Sequence, residues 1–181
     1  MTGTNPAPVS RPAVPGMAAR FPWRLARALA WGPRQADRAA VRWTVNGMTW
    51  AGALLVLASA IIHLRLWADS GYQEIAVIGP LLLAQGVAGI LLAVALGVFR
   101  RLGLMLAGSA ILAATAVGLL ISANVGLFGY QESLAVPYAG MSLVVEFAGA
   151  ALLGAAAAIV LASRPWRRPL AYSRRVWPPE A

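Results

Sequence analysis

Few side chains in this sequence could move a proton or hold a charge inside an apolar medium. The chain has one histidine, six acidic residues and no cysteine. Disulfides, thiolate nucleophiles and cysteine-bound metals are therefore excluded. A single imidazole per subunit also excludes a histidine-cluster metal site or a bis-histidine haem. Of the ionisable groups, His63 and Glu146 stand out because each lies in a long apolar stretch, with Ser59 four residues before His63 and Ser142 four residues before Glu146. A spacing of four puts each pair on one face of a helix. Gln85, Ser122 and Asn124 are further polar residues near the same ends of their stretches.

Such groups have two readings. An intramembrane carboxyl must face a bundle interior, carry a proton or find a partner. If the faces converge, His63 and Glu146 could pass protons, or Glu146 could bind a cation or the polar head of a lipid or quinone. Alternatively, Glu146 is neutral and hydrogen-bonded to Gln85 or a serine, as polar residues between membrane helices often are. Arg65 and Asp69, also four apart, are expected to pair at the outer interface, at small energetic gain. No metal site and no catalytic constellation is expected.

The elements that must position these groups follow from composition. Hydrophobic residues make up 60% of the 181 residues, charged residues 12%, and mean hydropathy is +0.70. Soluble domains carry about 25% charge. Four apolar spans, at roughly 45–67, 75–98, 102–124 and 136–162, are each long enough for a ~30 Å hydrocarbon core. Short connections at Ala68–Glu74 and Phe99–Arg101 make antiparallel hairpins of neighbours. The expected fold is an all-α integral membrane four-helix bundle of two hairpins over residues 43–163. Glu146 then sits roughly 15 Å from the start of its span at 1.5 Å per residue, and Gln85 at similar depth.

Charge sets the orientation. All fifteen basic residues are arginine. Seven precede the first span, Arg100 and Arg101 separate the second from the third, and five follow the fourth, whereas Asp69, Glu74 and Glu132 occupy the other two loops. By the positive-inside rule both termini are cytoplasmic and the protein is a multi-pass protein of a bacterial plasma membrane. The net charge of +9 is thus assigned to topology rather than to nucleic acid. Residues 1–20, rich in proline, are expected as a disordered tail. No 7–15-residue apolar core follows a basic start, so a cleaved signal peptide is not expected. Residues 21–42 interleave arginines with Phe21, Trp23, Leu25 and Trp31, which suits a segment lying on an anionic inner leaflet, interrupted at Gly32-Pro33. Residues 164–181 form a second basic tail.

The tetrapeptide Gly71-Tyr72-Gln73-Glu74 recurs as Gly129-Tyr130-Gln131-Glu132, an offset of 58 residues that also superposes span one on three and span two on four. This suggests duplication, with the halves as parallel repeats. In each copy the glycine suits a turn and the tyrosine an interfacial anchor. The run His63-Leu64-Arg65-Leu66-Trp67, with Gly71-Tyr72, Ile75 and Ile78-Gly79-Pro80-Leu81, resembles a pattern in uncharacterised small membrane proteins of actinobacteria. The resemblance implies a four-span membrane protein and brings no activity.

Three functions are consistent with these features. The leading one is a non-enzymatic accessory or scaffold subunit without cofactor, since glycine- and alanine-rich faces suit packing against another membrane protein or a second copy in a dimer. The alternative is a small transporter or proton-linked carrier around Glu146. The third is an intramembrane enzyme acting on lipid or quinone through His63 and Glu146.

Overall fold

Residues 21–32, 38–131, 133 and 138–163 are described by the structure, a computed structural model of the chain. The two expected tails at 1–20 and 164–181 lie outside these residues, as do Pro33 and Glu132.

Among the described residues there are five α-helices and one 3-10 turn: α1 (Phe21–Leu29), α2 (Ala39–Asp69), the 3-10 turn Tyr72–Glu74, α3 (Ile78–Phe99), α4 (Leu102–Val125) and α5 (Ala139–Ala162). The last four α-helices are each long and apolar enough to cross a membrane. The chain is accordingly a multi-pass membrane protein by length and composition. Helix α2 begins at Ala39 and ends at Asp69, so it takes in residues 39–42 that the sequence assigns to the interfacial segment. Helix α1 ends at Leu29, ahead of Gly32, and turns onto the start of α4, where the Leu102 amide donates to the Trp31 carbonyl at 2.6 Å.

The four long helices alternate in direction and define two ends. At the arginine end, α3 passes into α4 through Arg100 and Arg101 alone. Arg100 takes a left-handed conformation (φ 45°), its Nε donates to the Gly97 carbonyl at 3.1 Å, and its guanidinium lies 5.2 Å from the Trp50 ring centre. At the tyrosine end lie the two copies of the repeated tetrapeptide, and their backbones differ. In the first, Gly71 (φ 75°) leads into the 3-10 turn. In the second, Leu127 and Tyr130 exchange backbone hydrogen bonds of 2.7 and 3.0 Å around Phe128 and Gly129, whose φ values are 53° and 79°. Two successive positive φ angles mark a two-residue hairpin turn that favours glycine at its second position.

Packing is uneven around the bundle. Helix α2 lies closely along α3 and α5, and α4 lies along α5, whereas α3 and α4 barely touch. Small residues account for the close faces. Leu153 of α5 is held between Gly52 of α2 and Gly108 of α4, with no room for a Cβ at either glycine. Similarly, Gly86 faces Leu64, Gly89 faces Ala60, and Gly149 faces Leu112. Towards the arginine end the core is apolar and fully closed around Val45, Val56, Leu96, Met105, Leu112 and Leu153.

Candidate functional site

The polar residues collect near the tyrosine end. Helix α2 carries Ser59 and His63 on one face, and α5 carries Ser142 and Glu146 on the face opposite; all four are buried. Because α5 begins at Ala139, Glu146 lies roughly 10 Å from the helix start, shallower than the 15 Å expected from a span beginning at 136. Gln85 stands at a matching depth in α3.

Three groups converge on one oxygen. Ser59 Oγ donates to Glu146 Oε1 at 3.2 Å, Ser142 Oγ donates to the same atom at 3.0 Å, and His63 Nε2 stands 3.8 Å from it. The other carboxyl oxygen, Oε2, is buried without a hydrogen-bond partner. The imidazole is oriented from behind, since its Nδ1 lies 2.8 Å from the Ser59 carbonyl. A carbonyl oxygen only accepts, so Nδ1 carries a hydrogen. The state of the pair follows from that. Either Nε2 is also protonated and faces a carboxylate, or Nε2 is a bare acceptor and the carboxyl carries the proton. In both states His63 and Glu146 hold one exchangeable proton between them.

Beside this pair lies a cavity of about 280 Å³, walled by all four long helices. Its walls are largely apolar, including Leu66, Leu82, Leu119 and Leu127, with Gln85, Thr115 and Ser122 among its polar groups. Tyr72 and Tyr130, one from each copy of the tetrapeptide, also line it and meet edge to face with ring centres 5.8 Å apart. The cavity occupies the place where α3 and α4 fail to pack. Leu81 of α3 lines it yet is 50% exposed, and Ala114 of α4 lines it and is exposed as well. The opening is therefore sideways, between those two helices.

Of the residues singled out from sequence, Ser59, His63, Ser142 and Glu146 form one hydrogen-bonded group, and Gln85 and Ser122 line the adjoining cavity. Ser122 Oγ donates to the Tyr130 carbonyl at 3.5 Å, tying α4 to the hairpin turn. Asn124 is not among them: it is exposed, and its amide donates back to the Leu120 carbonyl at 2.7 Å. Arg65 and Asp69 are both exposed and form no ion pair with each other; the observed contact of that type is His63–Glu146. At the helix surface two flexible, hydrated side chains gain little by meeting. Thr115 and the two tyrosines were not read as cavity residues. The repeated tetrapeptide was the available sign for the tyrosines, and a lone threonine in an apolar helix was the sign for Thr115.

Chemically, the site offers one carboxyl, one imidazole and two serine hydroxyls beside an apolar cavity. That set can exchange a proton or hold a single charged head. Among the described residues no three histidine, aspartate or glutamate side chains come together to hold a metal ion. No protein-family model, no curated protein and no solved structure matches the chain.

Proposed function

We propose that this is a non-enzymatic, proton-linked carrier of small amphipathic molecules in a bacterial plasma membrane, with the arginine end and both termini cytoplasmic. The observation that carries the proposal is the His63–Glu146 pair, 3.8 Å apart at the wall of a cavity that opens sideways. A purely structural hydrogen bond between helices needs neither a cavity nor an unpartnered carboxyl oxygen. A carrier needs both, because ligand and proton must compete for one group.

An accessory or scaffold role draws its support from small-residue faces free to meet a partner. Gly52, Gly86, Gly89, Gly108 and Gly149 are instead occupied within the chain, which tips the balance towards the cavity. Duplication of an ancestral hairpin supports a carrier as well, since parallel repeats occur in transporters.

The test is non-denaturing mass spectrometry of the protein purified into nanodiscs from native membranes. Wild type should retain a low-mass amphipathic ligand, and Gly118→Leu should lose it. Gly118 lines the cavity, and a Cβ there meets nothing within 4 Å, so the larger side chain fills the space without disturbing the helices. A stoichiometric protein partner with no small ligand would overturn the carrier in favour of an accessory subunit. Orientation is tested separately by exploiting the absence of native cysteine. In intact cells a membrane-impermeant maleimide should label Asp69→Cys and spare Thr2→Cys, and the reverse pattern would invert the topology.

A further inference from the structure

We propose that the ligand is a hydrophobic cation, an amine or quaternary ammonium with an aromatic or short alkyl body, admitted between α3 and α4 and held at Glu146. This rests on the carrier function above and names the class of molecule carried.

Hydrogen-bond bookkeeping favours a cation over a neutral lipid or quinone. A quinone carbonyl needs donors, and the hydroxyl and Nδ1 donors around Glu146 are already committed, which leaves the Gln85 amide and the Tyr130 hydroxyl elsewhere in the lining. The hydroxyls of Ser59 and Ser142 point to Glu146, those of Thr115 and Ser122 to backbone carbonyls, and His63 Nδ1 to the Ser59 carbonyl. The acceptor side is less filled, because Glu146 Oε2 has no donor in hydrogen-bond geometry although the residue is 1% exposed, the nearby Thr115 hydroxyl being turned to the Ile111 and Leu112 carbonyls. A buried carboxyl oxygen without a donor is costly; a protonated amine relieves it by donating an N–H, and a quaternary ammonium offsets the carboxylate by charge alone.

Charge and shape agree. No arginine lines the cavity, and α3, α4 and α5 contain none at all, so an anion would meet a carboxyl with only the His63 imidazole beside it to offset the charge. The titratable groups facing the cavity are His63 from α2, Glu146 from α5 and the tyrosines Tyr72 and Tyr130; α3 and α4 contribute the uncharged Gln85, Thr115 and Ser122. Arg65 and Asp69 lie outside it, exposed on the last turns of α2. Aromatic rings beside a carboxylate suit an alkylammonium head. The walls and the volume of about 280 Å³ suit a body of one ring or a few carbons.

The proton balance is simple. Before binding, the pair holds one proton on either Nε2 or the carboxyl. Once the cation is seated, Glu146 is a carboxylate paired with it, His63 is neutral with its hydrogen on Nδ1, and one proton has left to water. The net charge of the site is the same before the proton leaves as after the cation enters, apart from the cation's own head replacing that proton. Binding should therefore strengthen as pH rises, because proton and cation compete for Glu146.

The experiment compares three probes on the full chain in nanodiscs: benzyltrimethylammonium, its neutral carbon isostere neopentylbenzene, and phenylmethanesulfonate. Binding is followed by ligand-observed NMR, and proton release by calorimetry in buffers of different ionisation enthalpy. The cation alone should bind, releasing about one proton per molecule. Glu146→Gln should weaken it about a hundredfold or more, as loss of one partner of a buried charge pair does, and should abolish the proton release. If the three probes bind alike and Glu146→Gln changes nothing, while Gly118→Leu still blocks them, the cation class is overturned and a neutral-ligand carrier stands. If no probe binds wild type, the inference also fails. The carrier function falls with it only when the mass spectrum of the native protein is bare too.

Discussion

Two seams join the α2–α3 hairpin to the α4–α5 hairpin, and they are built differently. Along the α2/α5 seam, Leu153 of α5 sits against Gly52 of α2, and Gly149 of α5 lets Leu55 of α2 approach, while Gly108 of α4 backs Leu153 from within its own hairpin. The same seam carries the Ser59–Glu146 bond. Along the α3/α4 seam the helices meet near the Arg100-Arg101 turn, where Leu96 of α3 packs beside Gly108 of α4, and part towards the tyrosine end, leaving the cavity. A two-fold relating duplicated hairpins would make these seams equivalent. Their inequality shows how a bundle of two hairpins can close one side tightly and leave a cavity on the other. Both tetrapeptides still meet, through Tyr72 and Tyr130, but one is a 3-10 turn and the other a hairpin turn.

The largest expected effect comes from applying one substitution to both seams. Gly52→Leu drives a side chain into Leu153, which cannot retreat because Gly108 lies behind it. Overpacking of this kind costs about 1–3 kcal/mol or more, read as a clear fall in thermal stability in detergent. Gly118→Leu on the open seam should leave stability within about 0.5 kcal/mol. Equal losses at the two positions would mean that the α3/α4 gap is closed in the folded protein.

Glu146→Leu probes the polar end of the closed seam. It leaves the Ser59 and Ser142 hydroxyls without their acceptor and should cost about 1–2 kcal/mol. Glu146→Gln keeps an acceptor for both and should unfold close to the wild-type temperature. A leucine variant as stable as wild type would show that the hydrogen bonds contribute nothing to the seam.

The smallest effect is at the mouth of the open seam. Tyr130→Ala removes one ring of the edge-to-face pair, a contact worth about 0.5–1.5 kcal/mol, with helix content by circular dichroism unchanged. Since Tyr130 is only half-buried whereas Tyr72 is buried, Tyr72→Ala should cost more. The opposite order would place the second tetrapeptide, and not the first, at the centre of the tyrosine end.

Much of the architecture is decided by local chemistry. Apolar runs of membrane-crossing length, interrupted by short polar loops, yield four helices without reference to what they touch. The pairs Ser59–His63 and Ser142–Glu146 share faces because helical periodicity demands it, so the core of the site was legible in spacing alone. Asn124 shows where such legibility stops. It has the same polar type and depth signature as Ser122, two residues away, but a rotation of about 200° at 3.6 residues per turn turns it outward, and nothing in its composition says which of the two faces the bundle.

What tertiary structure alone decided is which helix faces meet. The hydrophobic character of the long helices is nearly uniform around their circumference, so composition cannot distinguish a face against lipid from a face against protein. Glycine placement makes that choice through close approach. Leu153 fits only where Gly52 and Gly108 both come from other helices, and that fit sets the closed seam. The open seam, the unpartnered Glu146 oxygen and the meeting of two tyrosines 58 residues apart all follow from it. None is a property of any one stretch of chain.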